Sequence, residues 1–172
     1  MELLLMKINR LPDLEVLNKW FILDDTNGML YWKERKAKHT EIGGIVGKVN
    51  PKGYLVFHFD GVITRVHRII YKMYYGIEPE GELDHIDGNK LNNKPENLRL
   101  ASRYQNNQNI KKQKNNTSGH KNVYWKEANK KWAVTISAFG KKYHFGYYLN
   151  IENAAEVAVK QRKILHGEFA SG

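Results

Sequence analysis

Asp84 and His85 stand side by side in ELDHIDGN, Asn97 follows a loop of Gly, Asn and Pro, and Asn106 comes nine residues later in SRYQNNQN. Histidine is the side chain whose ordinary pKa suits taking a proton from water near neutral pH. A carboxylate and a carboxamide offer hard oxygen donors of the kind Mg²⁺ or Mn²⁺ accepts while keeping positions for water and a phosphate oxygen. These residue types supply what hydrolysis of a phosphodiester requires, a base for the water and positive charge beside the leaving oxygen. Neighbours in an extended segment project to opposite sides, which would set metal and base across one phosphorus. An isolated Asp-His before Asp87-Gly88-Asn89 is turn chemistry more often than catalysis. The register with Asn97 and Asn106 sets this pair apart. An EF-hand reading fails because Ile86 occupies a position where an oxygen ligand is required.

The elements that must hold these residues are legible around them. Asp84-His85 follows a short apolar lead, and Asn97-Leu98-Arg99-Leu100 alternates as a brief strand. Ser102 with Gln105 forms a capping box, so a helix begins there with Asn106 in its second turn. Asn107 and Asn109 compete with Asn106 for the same role. Upstream, LPDLEVLNKWFIL mixes helical spacing with strand character, and MLYW, YLVFHF and VITRV read as strands. Asp60-Gly61 is the dipeptide of a two-residue hairpin. From Val66 the period becomes helical through Ile69, Ile70, Met73 and Ile77, until Gly76 and Pro79 intervene.

The segment from Glu82 to Ile110 closely resembles the HNH nuclease motif of phage and intron-borne homing endonucleases, whose fold is a ββα-metal finger. Flanks such as DHIDGNKLNN and NLRLAS agree with it. The resemblance implies that His85 is the general base, that Asp84 and Asn106 bind one divalent metal ion, and that Asn97 braces the loop. Asn106 stands where the family's final His often does. The His67-Arg68 pair is similar to one that precedes this motif in phage proteins. Arg68 or Arg99 would steady a phosphate, while His67 reads equally as a functional or a packed helix residue.

Charge is distributed unevenly. The 172-residue chain carries a formal +10, with 15 basic and 14 acidic side chains up to Ser102, 10 and 1 over residues 103–150, and 3 and 3 thereafter. A basic excess localised in one segment is the footprint of a nucleic-acid binder. Within it, SGHKNVYW, KKWAVTIS, GKKYHFGYY, ENAAEVAV and LHGEFA resemble the Apetala-two (ethylene-response-factor) DNA-binding domain. Such domains lay three antiparallel strands in the major groove with one helix behind. The family pattern maps base and phosphate contacts to Lys121, Tyr124, Lys126, Thr135, Ser137, Lys142 and His144. Alternation sends Val123, Trp125, Trp132, Val134, Ile136, Tyr143 and Phe145 inward. The last helix offers Ile151, Ala154, Ala155, Ala158 and Ile164 for packing and ends at His166-Gly167.

The absence of cysteine excludes disulfides, thiol nucleophiles and cysteine-ligated zinc. No apolar run reaches the roughly 20 residues of a membrane span, and the N-terminal apolar patch lacks a signal-peptide pattern. The expectation is an α+β protein: an N-terminal portion with the HNH finger over 1–110 (motif 82–110), a basic linker at 111–118, and a three-stranded antiparallel sheet packed on one helix at 119–172. Its expected activity is metal-dependent DNA endonuclease, nicking double-stranded DNA as a monomer with Mg²⁺ or Mn²⁺, without nucleotide cofactor or membrane, in the cytoplasm of a phage host. The rival readings are a non-catalytic sequence-specific DNA-binding regulator and an RNA-binding protein.

Overall fold

The stretch LPDLEVLNKWFIL divides into both forms its pattern allows, helix α1 (Leu14–Trp20) and then strand β1 (Phe21–Asp24). The computed structural model describes residues 10–38, 40–109 and 116–170. β1 pairs antiparallel with β2 (Met29–Trp32), setting Phe21 opposite Trp32. Strands β3 (Lys48–Val49), β4 (Leu55–Phe59) and β5 (Val62–Arg65) form a second antiparallel sheet in that order. Between β4 and β5, Asp60 and Gly61 have φ of 48° and 79°, the left-handed pair of a two-residue turn. Helix α2 (Val66–Tyr75) follows at once and buries Val66, Ile69 and Ile70 completely. It ends at Gly76, whose φ of 73° suits a left-handed cap. Ile77 falls beyond the helix and is exposed.

Phe21 is the hub of this core, with the rings of Trp32, Phe59 and Phe57 centred 5.0, 5.3 and 5.5 Å away. Strands β6 (Glu82–His85) and β7 (Leu98–Ala101) form an antiparallel hairpin that adds Leu83 and Leu98 to it. A buried ammonium needs partners, and Lys72 has them: its Nζ donates to Leu11 O and to Glu78 Oε2. No helix among the described residues is long and apolar enough to cross a membrane.

The chain divides into two compact units, Met1–Ser102 and Arg103–Gly172. The sequence reading ends the first portion at 110 instead. The break comes earlier because helix α3 (Arg103–Gln108) packs inside the second unit. Its Tyr104 ring stacks on Phe139, 5.9 Å between centroids, and the Tyr104 hydroxyl accepts the Phe139 N–H. Of the expected linker, residues 111–115 lie outside the described residues. Residues 116–118 belong to the second unit, where Ser118 Oγ donates to Val123 O at 2.6 Å.

In that unit β8 (Val123–Lys126), β9 (Lys131–Ala138) and β10 (Lys141–Tyr148) form an antiparallel sheet with β9 central. Helix α4 (Ile151–His166) starts at Asn150, whose side-chain oxygen accepts the N–H groups of Glu152 and Asn153. Val123, Val134, Ala154 and Ala158 make the core beneath it. Two inward assignments fail. Trp125 is 41% exposed, because β8 is an edge strand and the helix packs mainly on β9; its Nε1 donates to Glu127 and its ring meets Trp132 edge-on at 5.1 Å. Ile164 is 66% exposed. The buried row of α4 runs Ala154, Ala158, Arg162, His166 at a spacing of four, which leaves Ile164 on the far side.

Candidate active site and nucleic-acid face

The β6–β7 register sets Asp84 directly across from Arg99. The pairing makes a forked contact, Arg99 Nη2 at 2.7 Å and Nε at 3.0 Å from Asp84 Oδ2. Asp84 is buried, and so is His85 beside it. His85 Nε2 meets Asn93 Oδ1 at 3.0 Å. With that oxygen as acceptor the ring proton sits on Nε2, leaving the lone pair on Nδ1. Burial pulls the His85 pKa below its ordinary value, against the upward pull of the Asn93 hydrogen bond and of Asp87 and Asp84. The imidazole is therefore neutral at neutral pH.

The loop between the strands is closed by Asn97. Its Nδ2 donates to Asn92 O at 2.7 Å and to Asp87 Oδ1 at 3.0 Å, while its Oδ1 accepts the Asp87 N–H at 3.1 Å. Its backbone carbonyl takes the N–H of Ile86. Burial pushes the Asp87 carboxyl up, but hydrogen bonds from Asn92, the Asn89 N–H and Asn97 outweigh it and hold the pKa below the usual carboxylate range. A side-chain amide that ties both ends of a loop fixes the position of the strand end carrying His85.

Two supports of this loop escaped the sequence reading. Asn93, 1% exposed, is one of several asparagines in NKLNNKP, and nothing in the sequence distinguishes the one that meets His85. Gly28, in the turn between β1 and β2, has φ of 66°, and a Cβ there would come within 2.3 Å of Lys94 N and 2.5 Å of Asn93 C. The signal for Gly28 was present, as the glycine of DDTNG. The N-terminal hairpin thus backs the loop that holds His85.

His67 of α2 lies 1% exposed with neither ring nitrogen hydrogen-bonded. Its ring stands edge-to-face against that of His85, 5.1 Å between centroids, and 5.6 Å from that of Tyr54. Burial drives its pKa down to about 2, with smaller contributions from His85, Arg65 and Arg68. The two arginines expected to steady a phosphate are engaged by the protein itself. Arg68 donates to Pro79 O and Gly81 O at 2.7 and 2.8 Å, holding the approach to β6, and Arg99 is committed to Asp84.

Asn106 is half-buried on α3, with Asn107 exposed and Asn109 buried beside it. Among the described residues no group of three His, Asp or Glu side chains is poised to hold a metal. A carboxylate oxygen and a carboxamide oxygen are each the kind of donor a hard divalent ion accepts.

On the second unit, the sheet shows a polar face. Tyr124 OH lies 3.3 Å from Thr135 Oγ1, which lies 3.3 Å from His144 Nδ1, one row across three strands. Ser137 pairs with Lys142 in register, and Lys126 with Lys131. Lys121 differs from the rest. It is half-buried, its Nζ donates to Gln108 O at 3.0 Å, and burial next to Arg162 lowers its pKa to about 8. Arg162, also missed, is 3% exposed and donates to Lys121 O at 2.8 Å, while His166 Nε2 donates to Ser137 O.

Residues 64–108 match the HNH endonuclease family. Protein 3.8 of Escherichia phage T7 is 39% identical over 107 residues, which span 62% of this chain and 88% of that protein. A solved structure described as DNA binding and cleavage by the HNH homing endonuclease I-HmuI is similar at 21% identity, covering 91% of this chain and 93% of the other with a TM-score of 0.41.

Proposed function

Because the chain belongs to the family of phage T7 protein 3.8 and carries an HNH endonuclease domain at residues 64–108, we propose that it is a metal-dependent DNA endonuclease that nicks double-stranded DNA as a monomer. The observation that carries the reading is the buried Asp84–His85 pair on a strand end whose loop is closed by Asn97. His85, oriented by Asn93, takes the proton of the attacking water. On the pattern of the HNH motif, Asp84 and Asn106 would be the residues to hold one Mg²⁺ or Mn²⁺ ion. When bound, the ion supplies Lewis-acid charge to the phosphate and the leaving oxygen. Asn97 keeps the His85 backbone in place throughout.

Tyr124, Lys126, Thr135, Ser137, Lys142 and His144 supply the DNA-binding face, in an Apetala-two-like arrangement. Phosphate contacts from such a face fix position, whereas base contacts choose the sequence. The test is conversion of supercoiled plasmid to open circle by the wild type and His85→Ala with Mg²⁺, Mn²⁺ or EDTA. Metal-dependent nicking that falls about 10²–10⁴-fold in the variant is expected for loss of a general base. DNA binding with no cleavage under any metal, on DNA that includes the phage genome, would favour the non-catalytic regulator instead.

A further inference from the structure

We propose that Arg65 and Lys90, held on the ring of Tyr54 beside His85, form a second DNA-contact site that grips the phosphates flanking the bond to be cut. The inference rests on the endonuclease reading above. That reading needs cations close to the scissile phosphate, and Arg68 and Arg99 are occupied by protein oxygens. Arg65 Cζ lies 4.7 Å and Lys90 Nζ 4.6 Å from the centroid of the Tyr54 ring. That ring is centred 6.1 Å from the His85 ring. Both cations are exposed, and among the described residues neither is paired with a carboxylate.

An aromatic face holds a cation without neutralising it, so the charge and the N–H groups not given to protein oxygens remain available to an anion. The platform is also fixed. The Tyr54 N–H donates to Asn50 Oδ1 at 3.0 Å. Lys90 Nζ donates to Lys52 O at 3.0 Å, and its stem lies over Gly53, where a Cβ would meet Lys90 Cδ at 3.7 Å. A flexible lysine restrained in this way loses less entropy on binding than one ranging free in solvent. Two pre-placed, unneutralised cations next to a phosphodiester-cleaving histidine fit the backbone of duplex DNA.

The experiment uses the full chain and a fluorescent DNA duplex, with binding measured in EDTA across a salt series. Arg65→Gln and Lys90→Gln are each expected to lower the slope of log affinity against log salt by about 0.9, and the double variant by about 1.8. Steady-state cleavage of the same variants is expected to show KM raised about 10-fold with kcat within about 2-fold, and Lys90→Arg is expected to restore the slope. Lys19→Gln, which removes a cation lying over Trp20, should leave slope and KM unchanged. A double variant with the wild-type slope and KM overturns the proposal, as does a fall in kcat with an unchanged slope, which would mark a packing role. If the double variant melts early, the folded pair Lys90→Gln and Lys90→Arg decides the matter. Failure of the endonuclease reading looks different: the wild type itself would not cleave, while the salt slopes would still report the contacts.

Discussion

In the first unit four buried polar residues gather on one hairpin and its loop, where Asp84, His85, Asn93 and Asn97 are each 8% exposed or less and bond to one another or to an adjoining strand or loop. In the second unit Arg162 and His166 are as deeply buried, but they bond to backbone carbonyls of Lys121 and Ser137 and so tie α4 to its sheet. The polar residues assigned to DNA there stay on the surface. The contrast teaches where each task tolerates motion. A base must be held to fractions of an ångström, which a buried hydrogen-bonded network provides. Contacts to a polyanion are many and individually modest, so exposed side chains serve them.

The sharpest way to break the contrast is Asn97→Ala. Loss of the amide that closes the loop should lower the cleavage rate about 10²–10³-fold, the scale of a misplaced catalytic group, with DNA affinity unchanged. Plasmid nicking beside a binding titration reads both. Gly28→Ala comes next. Its methyl group meets Asn93 and Lys94 backbone and its φ is left-handed, so cleavage should fall about 10-fold and stability by about 1–3 kcal/mol. Equal activity in a folded Gly28→Ala protein would mean that the N-terminal hairpin does not support the site.

On the other unit, Lys126 and Lys142 together to Ala should weaken DNA binding about 10-fold and lower the salt slope by about 2, leaving kcat intact. An unchanged slope would place the DNA face elsewhere. The smallest effect sought is in pH dependence. The unfolded chain protonates His67 near pH 6.5, whereas the folded chain, which buries the ring against His85 with Arg65 and Arg68 near it, does so only near 2. Stability attributable to His67 is thus complete above pH 6.5 and declines as pH falls toward 2, at up to about 1.4 kcal/mol per pH unit. His67→Phe keeps a ring there and should flatten that decline, as denaturant melts at pH 7 and pH 5 would register.

Local patterns were legible where one physical cause acts alone. Asp60-Gly61 had to turn left-handed, and Val66, Ile69 and Ile70 had to face inward. The alternation in KKWAVTIS buried Val134 and Ile136. Reading failed where packing partners decide. Trp125 is apolar and in phase, yet it sits on an edge strand beyond the helix. Ile164 is hydrophobic, but the close-packed row of α4 continues through Arg162 and His166, whose polar ends find carbonyls. The Asp84–Arg99 contact depends on strand register, and the selection of Asn93 depends on how the loop closes, neither of which a linear pattern contains. The break after Ser102 depends on Tyr104 finding Phe139, 35 residues away.

The proposed division of labour gives chemistry and DNA affinity to separate sets of residues. It is tested most directly by measuring single-turnover cleavage and duplex affinity side by side for His85→Ala and for the Lys126→Ala, Lys142→Ala double variant. The expected result is a crossed pattern, cleavage lost with affinity kept in the first and affinity reduced with the saturated cleavage rate kept in the second. Parallel loss of both properties in each variant would contradict it.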